Sequence, residues 1–283
     1  MPPLAPPTAE DLRRDPLPLR GRTALVTGAS RRGGIGHAVA RRLAAYGAGV
    51  YLHHHVPHDA AQPWGADPEG PAAVAASVRE ACGDPDARVV HGPGDLSAPD
   101  APAVLLAEAA GALGGRLDIL VANHALSGSD GPLEAVDAAM LDAYWAVNTR
   151  SVILLVQAYA RLRAALPART PGGRIVFMTS GQDLADGMPD EIAYSLAKGA
   201  LASATRTLAT SLADLAVTVN AVNPGPVDTG YLTGEAYDAI AAQFPAGRWG
   251  MPDDPARLIA WLATDEARWI TGQVINSEGG VRR

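Results

Sequence analysis

The chain has 283 residues, enough to bury a substantial α/β core in one large domain or two small ones. Its formal charge of −7 argues against a general polyanion-binding surface, and no apolar run approaches the roughly 20 residues that span a bilayer, so neither a nucleic acid nor a membrane is expected as partner. A single cysteine, Cys82, excludes an intrachain disulfide framework and suits a reducing cytoplasm.

The first twenty residues carry six prolines and no continuous apolar stretch of the kind a secretory leader needs. Residues 1–20 therefore read as an extended arm, with packing on a neighbouring subunit as one role open to it. From Thr23 onward, short aliphatic or β-branched runs alternate with longer Ala/Leu/Arg-rich segments of helical spacing. The runs are 23–28, 49–54, 87–92, 118–123, 174–180, 217–225 and 273–279. Seven strands interleaved with helices predict a doubly wound parallel sheet with helices on both faces, a Rossmann-type α/β fold. No Gly/Ser linker divides the chain, so residues 21–283 are expected to form one domain.

Between the first strand and a helical stripe of Ile35, Val39, Leu43 and Tyr46 lie Gly33, Gly34 and Gly36. Glycines at a strand-to-helix turn let a pyrophosphate approach the free amides of the helix N-terminus, which predicts dinucleotide binding. The second strand ends in His53, His54 and His55, with no carboxylate there to hold a ribose 2′-hydroxyl. Arg31, Arg32 and His54 are instead suited to a 2′-phosphate, so NADP(H) is favoured over NAD(H). Adjacent strand residues face opposite ways, so the histidine run does not read as a metal site. Cys82 reads as a helix end and not as a nucleophile.

Further along, Tyr194 and Lys198 stand four apart in a helical segment, so phenol and ammonium share one face. A neighbouring ammonium lowers a phenol's pKa and suits it to proton transfer. Ser180 closes the fifth predicted strand, where its hydroxyl can steady a carbonyl oxygen that gains charge. Thr179 is the competing hydroxyl, which strand alternation directs to the other face.

Thr27 to Gly36, with two extra residues in its middle, resembles the glycine turn of the short-chain dehydrogenases/reductases. So do Asp95-Leu96, Asn123 with Ala125, Asn148, the Tyr194–Lys198 motif, Asn223 to Thr229, and the stretch from Arg248 to Gly280. Together these matches run in order over about residues 20–281. The pattern is closest to the 3-oxoacyl-acyl-carrier-protein reductases. The resemblance implies Ser180, Tyr194, Lys198 and Asn148 as the catalytic set, with Asn148 holding a relay water. It implies a cofactor site of Gly28, Gly34, Ile35, Gly36, Asp95, Leu96, Asn123, Ala125, Tyr194, Lys198, Pro224, Gly225, Val227 and Thr229. Which of Ser30, Arg31 and Arg32 reaches a phosphate stays open.

The expected activity is NADP(H)-dependent reduction of a carbonyl, foremost a 3-oxoacyl thioester, by a homotetramer or dimer. A sugar, secondary-alcohol or natural-product ketone is the alternative substrate. A nicotinamide-sensing binding protein is the non-enzymatic alternative, although such proteins typically lose the tyrosine or lysine. An enoyl reductase is a weaker rival, because that group usually has six residues between the two where this chain has three. At Asn123-His124-Ala125 the chain departs from the family's usual residues, which leaves His124 either a substrate contact or a packed histidine. Residues 230–249 read as a substrate lid, with Phe244 on its inner face.

Overall fold

The computed structural model describes residue 13, residues 15–167, 170, 172–181, 184 and 187–282. Most of the proposed N-terminal arm lies outside the described residues. Its described end turns back onto its own domain: Leu19 is fully buried, and its amide donates to the Tyr46 carbonyl at 2.9 Å.

The chain runs β1 (Thr23–Val26), α1 (Ile35–Ala45), β2 (Gly49–His54), α2 (Val56–Ala60), α3 (Gly70–Arg79), β3 (Val89–Pro93) and α4 (Ala101–Ala112). It continues with β4 (Ile119–Ala122), α5 (Ala138–Tyr144), a π-helical turn (Trp145–Arg150), α6 (Ser151–Ala164), β5 (Gly173–Met178) and α7 (Ile192–Ser211). It closes with β6 (Val217–Asn223), α8 (Gly234–Ala241), α9 (Asp253–Leu262) and β7 (Val274–Asn276). All seven strands pair in parallel, in the order β3-β2-β1-β4-β5-β6-β7. The fold is therefore the doubly wound sheet that the alternating pattern predicts.

Two apolar clusters sandwich the sheet, because alternate strand residues face opposite ways. Val26, Val50, Leu52 and Val121 pack with α1, α3 and α9, whereas Leu25, Tyr51, Leu120 and Phe177 pack with α4, α6 and α7. The strand order reverses beside β1, so the crevice where ligands enter such sheets opens between the C-terminal ends of β1 and β4. No helix among the described residues is long and apolar enough to cross a membrane.

Candidate active site

A cavity of about 830 Å³ opens at that crevice. The glycine turn forms one wall. Gly28 has φ +68°, and a Cβ there would stand 2.7 Å from the His124 Cα, so only glycine fits. Gly36 does not line the cavity; it lets α1 press against Asn123, whose Nδ2 would lie 2.6 Å from an added Cβ. Gly34 is the N-cap of α1 and supplies no capping side chain, and the helix has no acidic residue in its first turn. The first amides of α1 are thus left for an anion.

Ser30, Arg31, Gly34 and Ile35 line this wall. Arg31 reaches across it: its guanidinium is 3.2 Å from Asp59 Oδ1, donates to the Thr229 carbonyl at 3.2 and 3.3 Å, and lies over the Trp64 ring. Arg32, by contrast, turns away. It grips Asp67 through two nitrogens at 3.0 and 2.8 Å and reaches Glu69 at 2.8 Å, which raises the arginine pKa further. Asp67 is held down at about 2, chiefly by that hydrogen bond.

His54 also departs from its expected place. Its Nε2 meets His91 Nδ1 at 3.2 Å and the side chain does not line the cavity, whereas His53 and His55 do. Within β2, strand alternation turns His53 and His54 to opposite faces. His55 lies past the strand end, as the N-cap of α2, and lines the cavity from there. His53 braces the glycine turn: its Nδ1 accepts from the Gly28 amide at 3.3 Å, and its Nε2 donates to the Gly94 carbonyl at 3.0 Å. Burial pushes its pKa to about 4.

The opposite wall comes from the loops after β3, β4 and β6. Asp95, Leu96, Asn123, Ala125, Pro224, Gly225, Val227 and Thr229 all line it. Asn123 ties β4 to the glycine turn by donating to the Thr27 and Gly28 carbonyls, both at 3.0 Å. His124 is a packed histidine. Its ring bonds Thr27 Oγ1 at 2.7 Å and Ser151 Oγ at 2.8 Å, and burial takes its pKa to about 3. A neutral ring therefore stands at its place.

At the floor, Ser180 and Tyr194 share the cavity wall with Met188, Glu191 and Tyr231. Thr179 lines it too, with its Oγ1 buried and unpartnered. β5 ends at Met178, so strand alternation no longer governs Thr179. Lys198 is buried on α7 beneath Tyr194, its Nζ 5.5 Å from the ring centroid and 2.8 Å from the Met178 carbonyl. Burial lowers its pKa to about 8, which leaves the ammonium the majority form at neutral pH.

The expected lowering of the phenol pKa is absent here. Burial pushes Tyr194 upward, helped by Glu191, Tyr144 and Tyr231, because Lys198 stands over the ring and bonds elsewhere. Asn148 sits fully buried in the π-helical turn, where its side chain bonds both backbone groups of Leu126, at 2.6 and 3.0 Å. Its amide is thus spent on holding the loop after β4. A π-helical turn loosens backbone pairing locally, so a relay water would have to use a main-chain group there.

His58 and Asp59 of α2, with His55 and Trp64 on either side of it, form a wall that the sequence did not reveal. They fall in an aperiodic Pro/Gly-containing stretch, and only its concentration of His, Asp and Trp hinted at a role. Among the described residues no group of three His, Cys, Asp or Glu is placed to hold a metal.

A family model described as enoyl-(acyl carrier protein) reductase matches residues 28–282. An uncharacterised oxidoreductase of Bacillus subtilis (strain 168), YjdA, is 41% identical over 260 residues, covering 92% of this chain and 96% of the relative. The solved short-chain dehydrogenase/reductase of Serratia marcescens BCRC 10948 superposes with a TM-score of 0.79 at 33% identity, over 93% of this chain and 98% of that one.

The chain is a short-chain dehydrogenase/reductase.

This reductase is also similar to the angucycline C-6 ketoreductase LanV, solved with bound NADP, with a TM-score of 0.76 and 34% identity over 93% and 96% of the two chains. It is an oxidoreductase acting on CH–OH and C=O groups. The crevice fits the nicotinamide cofactor of that family: unspent helix amides, a turn that admits no Cβ, and a continuous cavity from Arg31 to Tyr194.

Proposed function

We propose that this reductase converts a ketone to a secondary alcohol with NADPH, with Tyr194 as proton donor and Ser180 as hydrogen-bond donor to the carbonyl oxygen. The observation that carries this reading is that Ser180 and Tyr194 line the same cavity as the glycine turn. The phosphates would rest on Gly28, Ser30, Gly34 and Ile35, and the nicotinamide end on Pro224, Gly225, Val227 and Thr229. Bound there, the nicotinamide supplies hydride.

The chain's own residues handle the proton. Burial and nearby Glu191 keep the Tyr194 phenol protonated at rest, which suits a donor and therefore the reductive direction. When the phenol gives up its proton, the Lys198 ammonium beneath the ring offsets the negative charge that forms. Arg31 is the cation nearest the phosphate turn that faces the cavity, and it supports NADPH; LanV, similar over nearly its whole length, was solved with NADP.

Two substrate classes remain in contention. The likeness to LanV favours a fused-ring ketone; the C-terminal motif from Arg248 to Gly280 favours a 3-oxoacyl thioester. The four-residue step from Tyr194 to Lys198 supports carbonyl chemistry over enoyl reduction.

The test follows NADPH oxidation with 2-tetralone, acetoacetyl-coenzyme A and crotonyl-coenzyme A, for the wild type and Tyr194→Phe. Ketone-dependent oxidation should appear and fall at least ~100-fold in the variant, with NADPH binding unchanged. Near-normal turnover by Tyr194→Phe would remove the proposed role, and turnover of crotonyl-coenzyme A alone would move the reading to enoyl reduction.

A further inference from the structure

Helix α7 begins at Ile192, and its N-cap, Glu191, makes no side-chain hydrogen bond to the helix. The second and third amides of a helix are those a capping side chain normally satisfies. In α7 these belong to Ala193 and Tyr194. Both are taken by one carboxylate from a distant part of the chain: Asp130 Oδ1 accepts from Ala193 at 3.2 Å, and Oδ2 accepts from Tyr194 at 2.6 Å.

Asp130 lies in the loop after β4, 64 residues before the tyrosine. That loop is itself anchored. The Gly131 amide bonds Asp130 Oδ1 at 2.9 Å, Asn148 clamps Leu126, and the Ser129 amide donates to the Tyr144 hydroxyl at 3.3 Å. The Tyr144 ring meets Tyr194 edge-on, with centroids 6.4 Å apart and planes at 90°. One short segment therefore holds the backbone of Tyr194 and, through Tyr144, the setting of its ring. A carboxylate at a helix N-terminus also gains from the helix dipole. No other helix among those described receives a side-chain cap from so far along the chain; the cap of α5, Asp137, is local.

We propose that Asp130 is a positioning residue for Tyr194: by capping α7 from the β4 loop, it fixes the phenol in the cavity wall that it shares with Ser180. The inference rests on Tyr194 being the proton donor. An error of about 1 Å in such a group costs up to 100-fold in rate. Asp130→Ala removes all three acceptor contacts, whereas Asp130→Asn keeps one oxygen for the Tyr194 amide.

Two measurements on the full chain test this. In the first, kcat and KM for NADPH are measured on the ketone turned over fastest. Asp130→Ala should lose about 30-fold in kcat with KM for NADPH within about twofold, Asp130→Asn should return to within about threefold of wild type, and Asp130→Ala should cost nothing further in a Tyr194→Phe background. In the second, amide hydrogen exchange is followed over residues 192–198, and needs no turnover. Exchange at Ala193 and Tyr194 should quicken at least about tenfold in Asp130→Ala, with the strands unchanged. Unchanged exchange overturns the proposal. So does wild-type kcat in Asp130→Ala while Tyr194→Phe is inactive, or a parallel fall of kcat, cofactor affinity and melting temperature that Asp130→Asn does not rescue. An active Tyr194→Phe instead overturns the proton-donor reading on which the inference stands.

Discussion

A guanidinium offers five N–H donors in a fixed fork, and Arg31 spends its own on Asp59 and on the Thr229 carbonyl. An incoming phosphate has to compete with Asp59 for this cation. Burial lowers the Arg31 pKa, Asp59 raises it, and the side chain remains charged. Replacing the carboxylate by an amide should free the fork for a 2′-phosphate and leave only a weaker, uncharged acceptor for a 2′-hydroxyl. Asp59→Asn should therefore raise the ratio of kcat/KM for NADPH over NADH about tenfold, equivalent to ~1.4 kcal/mol. A falling ratio would mean that Asp59, and not Arg31, supports the adenosine end. The sequence made Arg31 and Arg32 equivalent because their division depends on where Asp59 and Asp67 fold back, and nothing local fixes that. The histidines illustrate the same limit: alternation separates His54 from His53, but where β2 ends, and so how His55 turns, is set by the surrounding fold.

Among elements, the strands were legible to within about three residues at either end, because a buried parallel strand must be a short apolar run. The pairing of Tyr194 with Lys198 was equally legible, since a helix brings i and i+4 together whatever surrounds it. Segment 230–249 was not. α8 has no buried residue, and the aromatic chains around it pack among themselves. Trp249 is buried against the stacked Tyr237 ring at 5.0 Å, with Tyr231 and Phe244 around it. Phe244 is thus a prop under the segment, and only Tyr231 of these four aromatics reaches the cavity. Phe244→Ala should cost stability, up to about 3–5 kcal/mol if the gap does not collapse, and leave KM for the ketone nearly unchanged. Tyr231→Ala should raise that KM with little change in melting temperature. The reverse outcome would restore Phe244 to the inner face of a closing lid.

For the molecule as a whole, burial of histidine sets the response to acid. His37, His53, His54, His58 and His124 are all held below their ordinary pKa, in each case chiefly by desolvation. His53 at about 4 and His124 at about 3 stand together behind the glycine turn, their rings 6.2 Å apart. Between pH 6.5 and about 4 the unfolded chain binds protons at these two sites that the folded chain refuses. The unfolded state then holds more protons, so stability rises with pH across this window and is lost as pH falls. Two such sites give a slope approaching about 3 kcal/mol per pH unit near pH 5. Because both rings hold the turn and the β4 loop, the fold and the cofactor crevice should fail together. Urea midpoints measured from pH 7.5 to 4.5 should fall steeply below pH 6, and NADPH affinity extrapolated to the folded fraction should stay flat. A His124→Asn variant, destabilised at neutral pH, should show a shallower acid slope by about one proton. An unchanged slope would mean that the histidines at the crevice do not govern acid unfolding, and that proton uptake by carboxylates such as Asp67 does.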